Sequence, residues 1–265
     1  MYQAVICDLD GTLLNAEHTI SEYTRDIISK VRNKGIIICI ATGRHHIDAR
    51  VYQQMLNLDS FLITSNGAKI HDEKGREIYS ANIPEKTAWD LIHTVVDSDI
   101  VRHVFQDDEW YCEQPWLITS EAYKDSGVKP VNKPFYLIKG PITKFCYEYQ
   151  RRPNKLLQLE ELLLERFGDK LSISFSSPIF LELMTCGVSK GAAIQRILKS
   201  RNIDASETIA FGDGLNDFEM LKYVGKGILM GNCDGALPNM LPECEIIGSN
   251  EDDGLARYLE KLYLG

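Results

Sequence analysis

The residues able to do chemistry begin where the first apolar run ends. AVIC, at 4 to 7, is followed at once by Asp8, Leu9, Asp10, Gly11 and Thr12. Two carboxylates one residue apart repel each other unless a positive charge lies between them. A divalent cation answers that repulsion, because Mg²⁺ takes oxygen ligands and can bridge carboxylates to a phosphate. Three more clusters carry the same theme. Thr42, Gly43 and Arg44 follow the apolar run IIICIA at 36 to 41. GVSKGAAI, at 187 to 194, places Lys190 in the first turn of an expected helix, and FGDGLND, at 211 to 217, sets Asp213, Asn216 and Asp217 beyond another apolar run.

Taken singly, each cluster has a dull explanation: a solvated acidic turn, a surface lysine, a loop. Together they supply acids, a hydroxyl with backbone N–H groups, an amine and an amide, which is the inventory for phosphoryl transfer through a carboxylate. In that reading Asp8 attacks phosphorus. Thr42, the Gly43 N–H, Lys190 and Asn216 hold the phosphate oxygens as charge develops. Asp10 protonates the leaving alcohol and then deprotonates the hydrolytic water. Gly11 gives the backbone room to turn beside the phosphate. These residues alone leave open whether the Asp10 side chain or its carbonyl is a metal ligand.

Such clusters can act together only if the fold gathers them. AVIC reads as a buried strand, Ile20, Tyr23, Ile27, Ile28 and Val31 fall at helical spacing between Ser21 as cap and Gly35 as terminator, and IIICIA and FLIT (61 to 64) read as further strands. Strand, helix, strand in this rhythm predicts a Rossmann-like parallel α/β sheet, whose ligands bind beyond the carboxyl ends of the strands. From about residue 83 the rhythm changes: one helix through Ala88 to Val96, a hairpin VRHVF and EWYCE around Asp107 and Asp108, an irregular stretch at 114 to 134, a strand FYLIK at 135 to 139, a helix PNKLLQLEELLLERFG, and two strands turning at Ser177 and Pro178. From Ser189 the parallel rhythm resumes: GAAIQRILKS, TIAF, a helix near Asp217 to Tyr223, GILM, EIIG and a last helix carrying Leu255 to Leu262. The expected organisation is a core of residues 1–82 and 187–265 interrupted by an α+β cap at 83–186.

Whole-chain numbers fit a globular protein of one large or two modest domains: 265 residues, 44% hydrophobic. A net charge of -9 without a basic cluster argues against nucleic acid as partner. Seven scattered cysteines with no CxxC pair argue against a disulfide framework or zinc site and suit a reducing, cytoplasmic setting. The first residues show no basic and apolar signal pattern, so no targeting segment is expected, and no apolar run is long enough to span a bilayer.

In this order and with this insertion, DLDGTLL, IATGR, GVSKG and GDGLND resemble the four motifs of the haloacid dehalogenase superfamily, Cof-type branch (subfamily IIB) of phosphatases. SNGA at 65 to 68 and MGN at 230 to 232 are also typical of that branch. The resemblance spans essentially the whole chain. It implies Asp8 as nucleophile and Mg²⁺ bound by the Asp8 carboxylate, the Asp10 carbonyl and Asp213. It also implies phosphate contacts from the Leu9 backbone, Thr42, Gly43, Lys190 and Asn216, with Asp217 holding Lys190 or the metal site. The implied activity is hydrolysis of small phosphorylated metabolites, of the sugar phosphate or pyridoxal 5′-phosphate class, by a monomer or weak homo-oligomer.

Three rivals are weighed against it. GVSKG fits a serine-hydrolase elbow, but that fold needs a histidine after the serine and the last histidine is His103. A phospho-receiver domain has no use for the module at 83–186. A phosphomutase of the same superfamily shares the first half-reaction and is the serious alternative. His45 and His46 are expected to be exposed at a helix start, and Trp89, Trp110 and Trp116 to be core or edge residues. The acidic run 250 to 254 is expected at a helix N-terminus, where the dipole favours it.

Overall fold

A computed structural model describes residues 2–114, 127–149 and 153–265. In chain order the first stretch carries β1 (Ala4–Cys7), α1 (Glu22–Asn33), β2 (Ile37–Ala41), α2 (His46–Met55), β3 (Leu62–Thr64), β4 (Lys69–His71) and β5 (Glu77–Ser80). The insertion carries α3 (Glu85–Ile92), β6 (Val101–Gln106), β7 (Glu109–Cys112), β8 (Val131–Asn132), β9 (Lys144–Glu148), α4 (Pro153–Phe167), β10 (Leu171–Ser177) and β11 (Phe180–Thr185). The return leg carries α5 (Lys190–Arg201), β12 (Thr208–Gly212), α6 (Phe218–Tyr223), β13 (Lys226–Leu229), α7 (Leu237–Met240), β14 (Glu245–Ile246) and α8 (Gly254–Tyr263). Two compact units result, Met1–Tyr79 with Ser189–Gly265, and Ser80–Val188.

In the first unit the strands run in the order β14-β13-β12-β1-β2-β3-β4-β5. β1 pairs in parallel with both β12 and β2, aligning Cys7 with Phe211 and with Ile40. That register brings the residues after three strands, Asp8, Thr42 and Asp213, to one edge of the sheet. All of AVIC is buried because both faces of β1 are covered. Val5 and Cys7 pack with Ile27, Ile28 and Leu259 on one side. Ala4 and Ile6 pack with Ile194 and Leu221 on the other. α1 starts as its sequence dictates, with the Ser21 hydroxyl accepting from Thr24 N at 3.0 Å. It gives way to Gly35 in the left-handed region, φ +82°.

The second unit is a sheet in the order β10-β11-β9-β6-β7-β8, backed by helices. Val104, Phe145, Tyr147, Leu181 and Leu183 face Leu91 and the α4 residues Leu156, Leu159 and Leu163. The opposite face buries charge: Lys144 pairs with Glu182 at 2.8 Å, and His103 with Glu148 at 3.2 Å. Pairing offsets the cost of taking such groups out of water. Burial holds the His103 imidazole below its ordinary pKa.

Several expectations are corrected. FYLIK is not a strand: residues 135–137 form a 3₁₀ turn between Pro134 and Gly140. The strand that fills the middle of this sheet is β9, absent from the sequence reading, as are β4, β5 and α7, and the stretch read as irregular at 114 to 134 contains β8, which pairs with β7. α3 stops at Ile92, leaving Val95 90% exposed. His45 and His46 are buried; the His45 ring accepts from Ile47 N as cap of α2, and the His46 ring stacks on His71 at 4.8 Å. Trp110 is buried and Trp89 exposed, while Trp116 lies outside the described residues. The acidic run does precede α8, but the Asp253 carboxylate takes hydrogen bonds from the Ser21 and Thr24 hydroxyls of the α1 start rather than capping α8. Among the described residues no helix is long and apolar enough to cross a membrane.

Candidate active site

Asp8 continues β1 and donates its own N–H to Phe211 O at 3.1 Å, which fixes the backbone from which its carboxylate projects. Lys190, the first residue of α5, is fully buried and reaches that carboxylate, with Nζ 2.8 Å from Asp8 Oδ1 and 2.7 Å from Asp217 Oδ1. It arrives there because Ser189 caps the helix, accepting from Ala192 N at 3.1 Å. Asp217 is fully used: its other oxygen accepts from the N–H groups of Asp213 and Gly214, both at 3.0 Å. It holds both Lys190 and the turn that presents Asp213. The Asp213 Oδ1 in turn accepts from the Thr12 hydroxyl at 2.8 Å.

Thr42 and Gly43 lie where the turn leaves β2. Thr42 is buried, and its hydroxyl accepts from Arg44 N at 3.1 Å. Leu9 has its side chain in the core, while its carbonyl accepts from the N–H groups of Leu13 and Leu14, closing the turn around Asp10. Gly11 is required there. Its φ is +77°, and a Cβ would fall 2.2 Å from Asp213 Oδ2. Asn216 stands beside this group and donates from Nδ2 to Asn66 Oδ1 at 3.0 Å.

Asp10 is separate in its contacts. Arg44 Nε donates to Oδ2 at 2.7 Å and Nη2 to Oδ1 at 2.5 Å, a forked pair. His18 Nδ1 lies 3.4 Å from Oδ1. Tyr52 braces both partners, with its hydroxyl donating to the His18 carbonyl and its ring under the Arg44 guanidinium. Burial alone would raise the Asp10 pKa, but the hydrogen bonds from Arg44 and His18 overcome it and hold the carboxylate well below its usual range. Asp8 behaves oppositely. Burial lifts it well above the ordinary value, Lys190 pulls it back, and the charges of Asp217 and Asp213 push it up again. Asp213 is pushed up to about 7, by burial first and by Asp217 second.

Asp8, Asp213 and Asp217 each offer a carboxylate oxygen within 4.8 Å of the others. Asp217 is committed to hydrogen bonds, which leaves Asp8 and Asp213 as ligand candidates. Crowded acids raised by burial, with oxygen donors only, suit a hard cation such as Mg²⁺. The sign of the pH effect follows. Asp213 keeps a proton up to about pH 7 when folded, where the unfolded chain has released it. The contribution of Asp213 to metal-free stability therefore falls as pH rises from about 4 to about 7 and then levels. A bound cation must displace that proton, so Mg²⁺ should raise Tm more at about pH 8 than at about pH 6. Thermal melts at the two pH values check this, and equal shifts, or none, would contradict the assignment of Asp213.

Sequence reasoning gave Arg44 no contact with Asp10 and passed over His18 and Tyr52. It also gave no role to Asn232, whose Nδ2 donates to Gly11 O at 2.8 Å. The quoted MGN was the available signal for Asn232; nothing in the sequence pointed to His18.

The sequence model of the haloacid dehalogenase-like hydrolase family matches residues 5–259. A protein of Buchnera aphidicola subsp. Baizongia pistaciae, provisionally named a phosphatase, is 40% identical over 99% of both chains. The HMP-PP phosphatase of Serratia proteamaculans is 30% identical, over 98% of this chain and 95% of its own. Among solved structures, a haloacid dehalogenase-like hydrolase from B. subtilis superposes with a TM-score of 0.82 at 25% identity, over 98% of this chain and 99% of that one.

Proposed function

The chain belongs to the haloacid dehalogenase-like hydrolase family and is a phosphatase, and from that premise we propose that it hydrolyses small phosphate monoesters through an aspartyl-phosphate on Asp8. The observation that supports this best is the buried carboxylate of Asp8 at the end of β1, with Lys190 Nζ 2.8 Å away. In the first step an Asp8 oxygen forms a bond to phosphorus, the bond to the leaving oxygen breaks, and the departing alcohol takes its proton from Asp10, whose carboxylate must first leave the Arg44 fork that keeps it ionised and take up that proton. In the second, water gives a proton to Asp10 and attacks phosphorus, releasing inorganic phosphate and restoring Asp8. Lys190, Thr42, the Gly43 N–H, the Leu9 backbone and Asn216 hold the phosphate oxygens. Mg²⁺, held by Asp8, the Asp10 carbonyl and Asp213, would neutralise charge on the transferring group. The inserted unit serves as the cap that selects the leaving group, because the core's groups meet only the phosphate that every substrate shares.

Purified protein with Mg²⁺ should release phosphate from members of a panel of sugar phosphates, pyridoxal 5′-phosphate and HMP-PP, the last chosen because relatives carry that substrate in their names. Hydrolysis of none would overturn the reading. Replacing Asp10 by Asn should slow alkyl phosphates by roughly 10²- to 10⁴-fold, and nitrophenyl phosphate less in its first step, since nitrophenolate leaves without a proton. Equal losses in phosphorylation of Asp8 by the two classes would show that Asp10 shapes the site rather than moving a proton.

A further inference from the structure

SNGA is the motif to which the proposed mechanism gives no work, and its backbone is unusual. Ser65, Asn66 and Gly67 are three successive residues in the left-handed region, with φ of 48°, 52° and 96°. Side-chain-bearing residues enter that region at a cost, which persists only where the surroundings impose it. Here the surroundings are three of the four chemical clusters. Ser65 N donates to Arg44 O and Asn66 N to Thr42 O, both at 3.0 Å. A Cβ on Gly67 would fall 2.3 Å from the carbonyl of Ser189, which caps the helix that carries Lys190. The buried Asn66 side chain accepts from Asn216 Nδ2.

We propose that Asn66 is a positioning residue for phosphate binding: its Oδ1, presented by the left-handed turn, fixes the amide of Asn216 with its donor edge set for the ligand. An amide has a donor end and an acceptor end, and an anion accepts only from the donor. One Nδ2 hydrogen is taken by Asn66, and the other is left to point at a phosphate oxygen. With Asn66 presenting Oδ1, turning the Asn216 amide over would set two acceptors, Asn216 Oδ1 and Asn66 Oδ1, against each other. Asn66 thus removes the wrong orientation before the ligand arrives, which lowers the cost of binding. The inference rests on Asn216 being a phosphate ligand.

The test uses inorganic phosphate with the full-length protein and a double-mutant cycle. Asn66→Gly keeps the left-handed backbone and deletes the acceptor. It should weaken phosphate binding, and raise KM for a monoester, by about 10-fold. In the Asn216→Ala background the same change should add less than about 2-fold, since its target is gone. If Asn216→Ala weakens phosphate and Asn66→Gly does not, or if the two losses multiply in full, the positioning role is overturned. If Asn216→Ala binds phosphate as well as the native protein, the phosphate-ligand assignment fails first and the inference falls with it. Should Asn66→Gly not fold, the native protein decides. The side-chain NH₂ signals of Asn216, identified by their loss in Asn216→Ala, should show one hydrogen protected from solvent and the other shifting on addition of phosphate. Two hydrogens exchanging alike would overturn the proposal.

Discussion

Replacement of Asp8 by asparagine is expected to reduce turnover by roughly 10⁴-fold or more while the protein stays folded. The substitution is nearly isosteric and removes the attacking oxygen. The fold should tolerate it, because the Asp8 charge is disfavoured by burial and Lys190 retains its contact with Asp217 at 2.7 Å. Tm should stay within about 4 °C of the native value. Melting curves and phosphate release on the same preparation check both halves. Activity above about one hundredth of native would contradict the nucleophile assignment.

Loss of Lys190 is expected to do the reverse, damaging stability as well as activity. Its side chain is wholly buried between Asp8 and Asp217, so Lys190→Met leaves two buried acids without their cation. Breaking a buried pair from one side costs about 3–5 kcal/mol, a drop of roughly 10 °C in Tm for a unit of this size. The drop should shrink at low pH, where the stranded Asp8 takes up a proton and ceases to be a buried charge. Thermal melts across the pH range measure it. A loss under about 1 kcal/mol would mean that water reaches the triad and screens it.

Much of the core was legible because its signals are local. AVIC is apolar on both faces because both are covered, and Ser21 and Gly35 mark the ends of α1 in the usual way. The acids and Lys190 could be gathered by argument because strand ends in a parallel sheet share an edge. The inserted unit resisted for the opposite reason. β9 reads Lys-Phe-Cys-Tyr-Glu, and its charged face is buried only because β11 brings Glu182 to Lys144 and β6 brings His103 to Glu148. Those partners are distant in sequence, so nothing local marks the run as a central strand. FYLIK looked right by composition, but its first three residues form a 3₁₀ turn, between Pro134 and Gly140. In the site, side-chain pairing was the part that could not be read. Arg44 follows Thr42 as any turn residue might, and only the fold reveals that its fork takes both oxygens of Asp10.

The central claim is the covalent intermediate on Asp8, and Asp10→Asn offers the means to see it. With nitrophenyl phosphate as donor the first step needs no acid, whereas the second still needs a base, so the phosphorylated enzyme should accumulate. Rapid acid quench, digestion and mass spectrometry should then find one phosphoryl group on the peptide containing Asp8, removable by hydroxylamine as an acyl phosphate is. Nitrophenol release without any phosphorylated peptide, or a phosphoryl group mapped to another residue, would contradict the account.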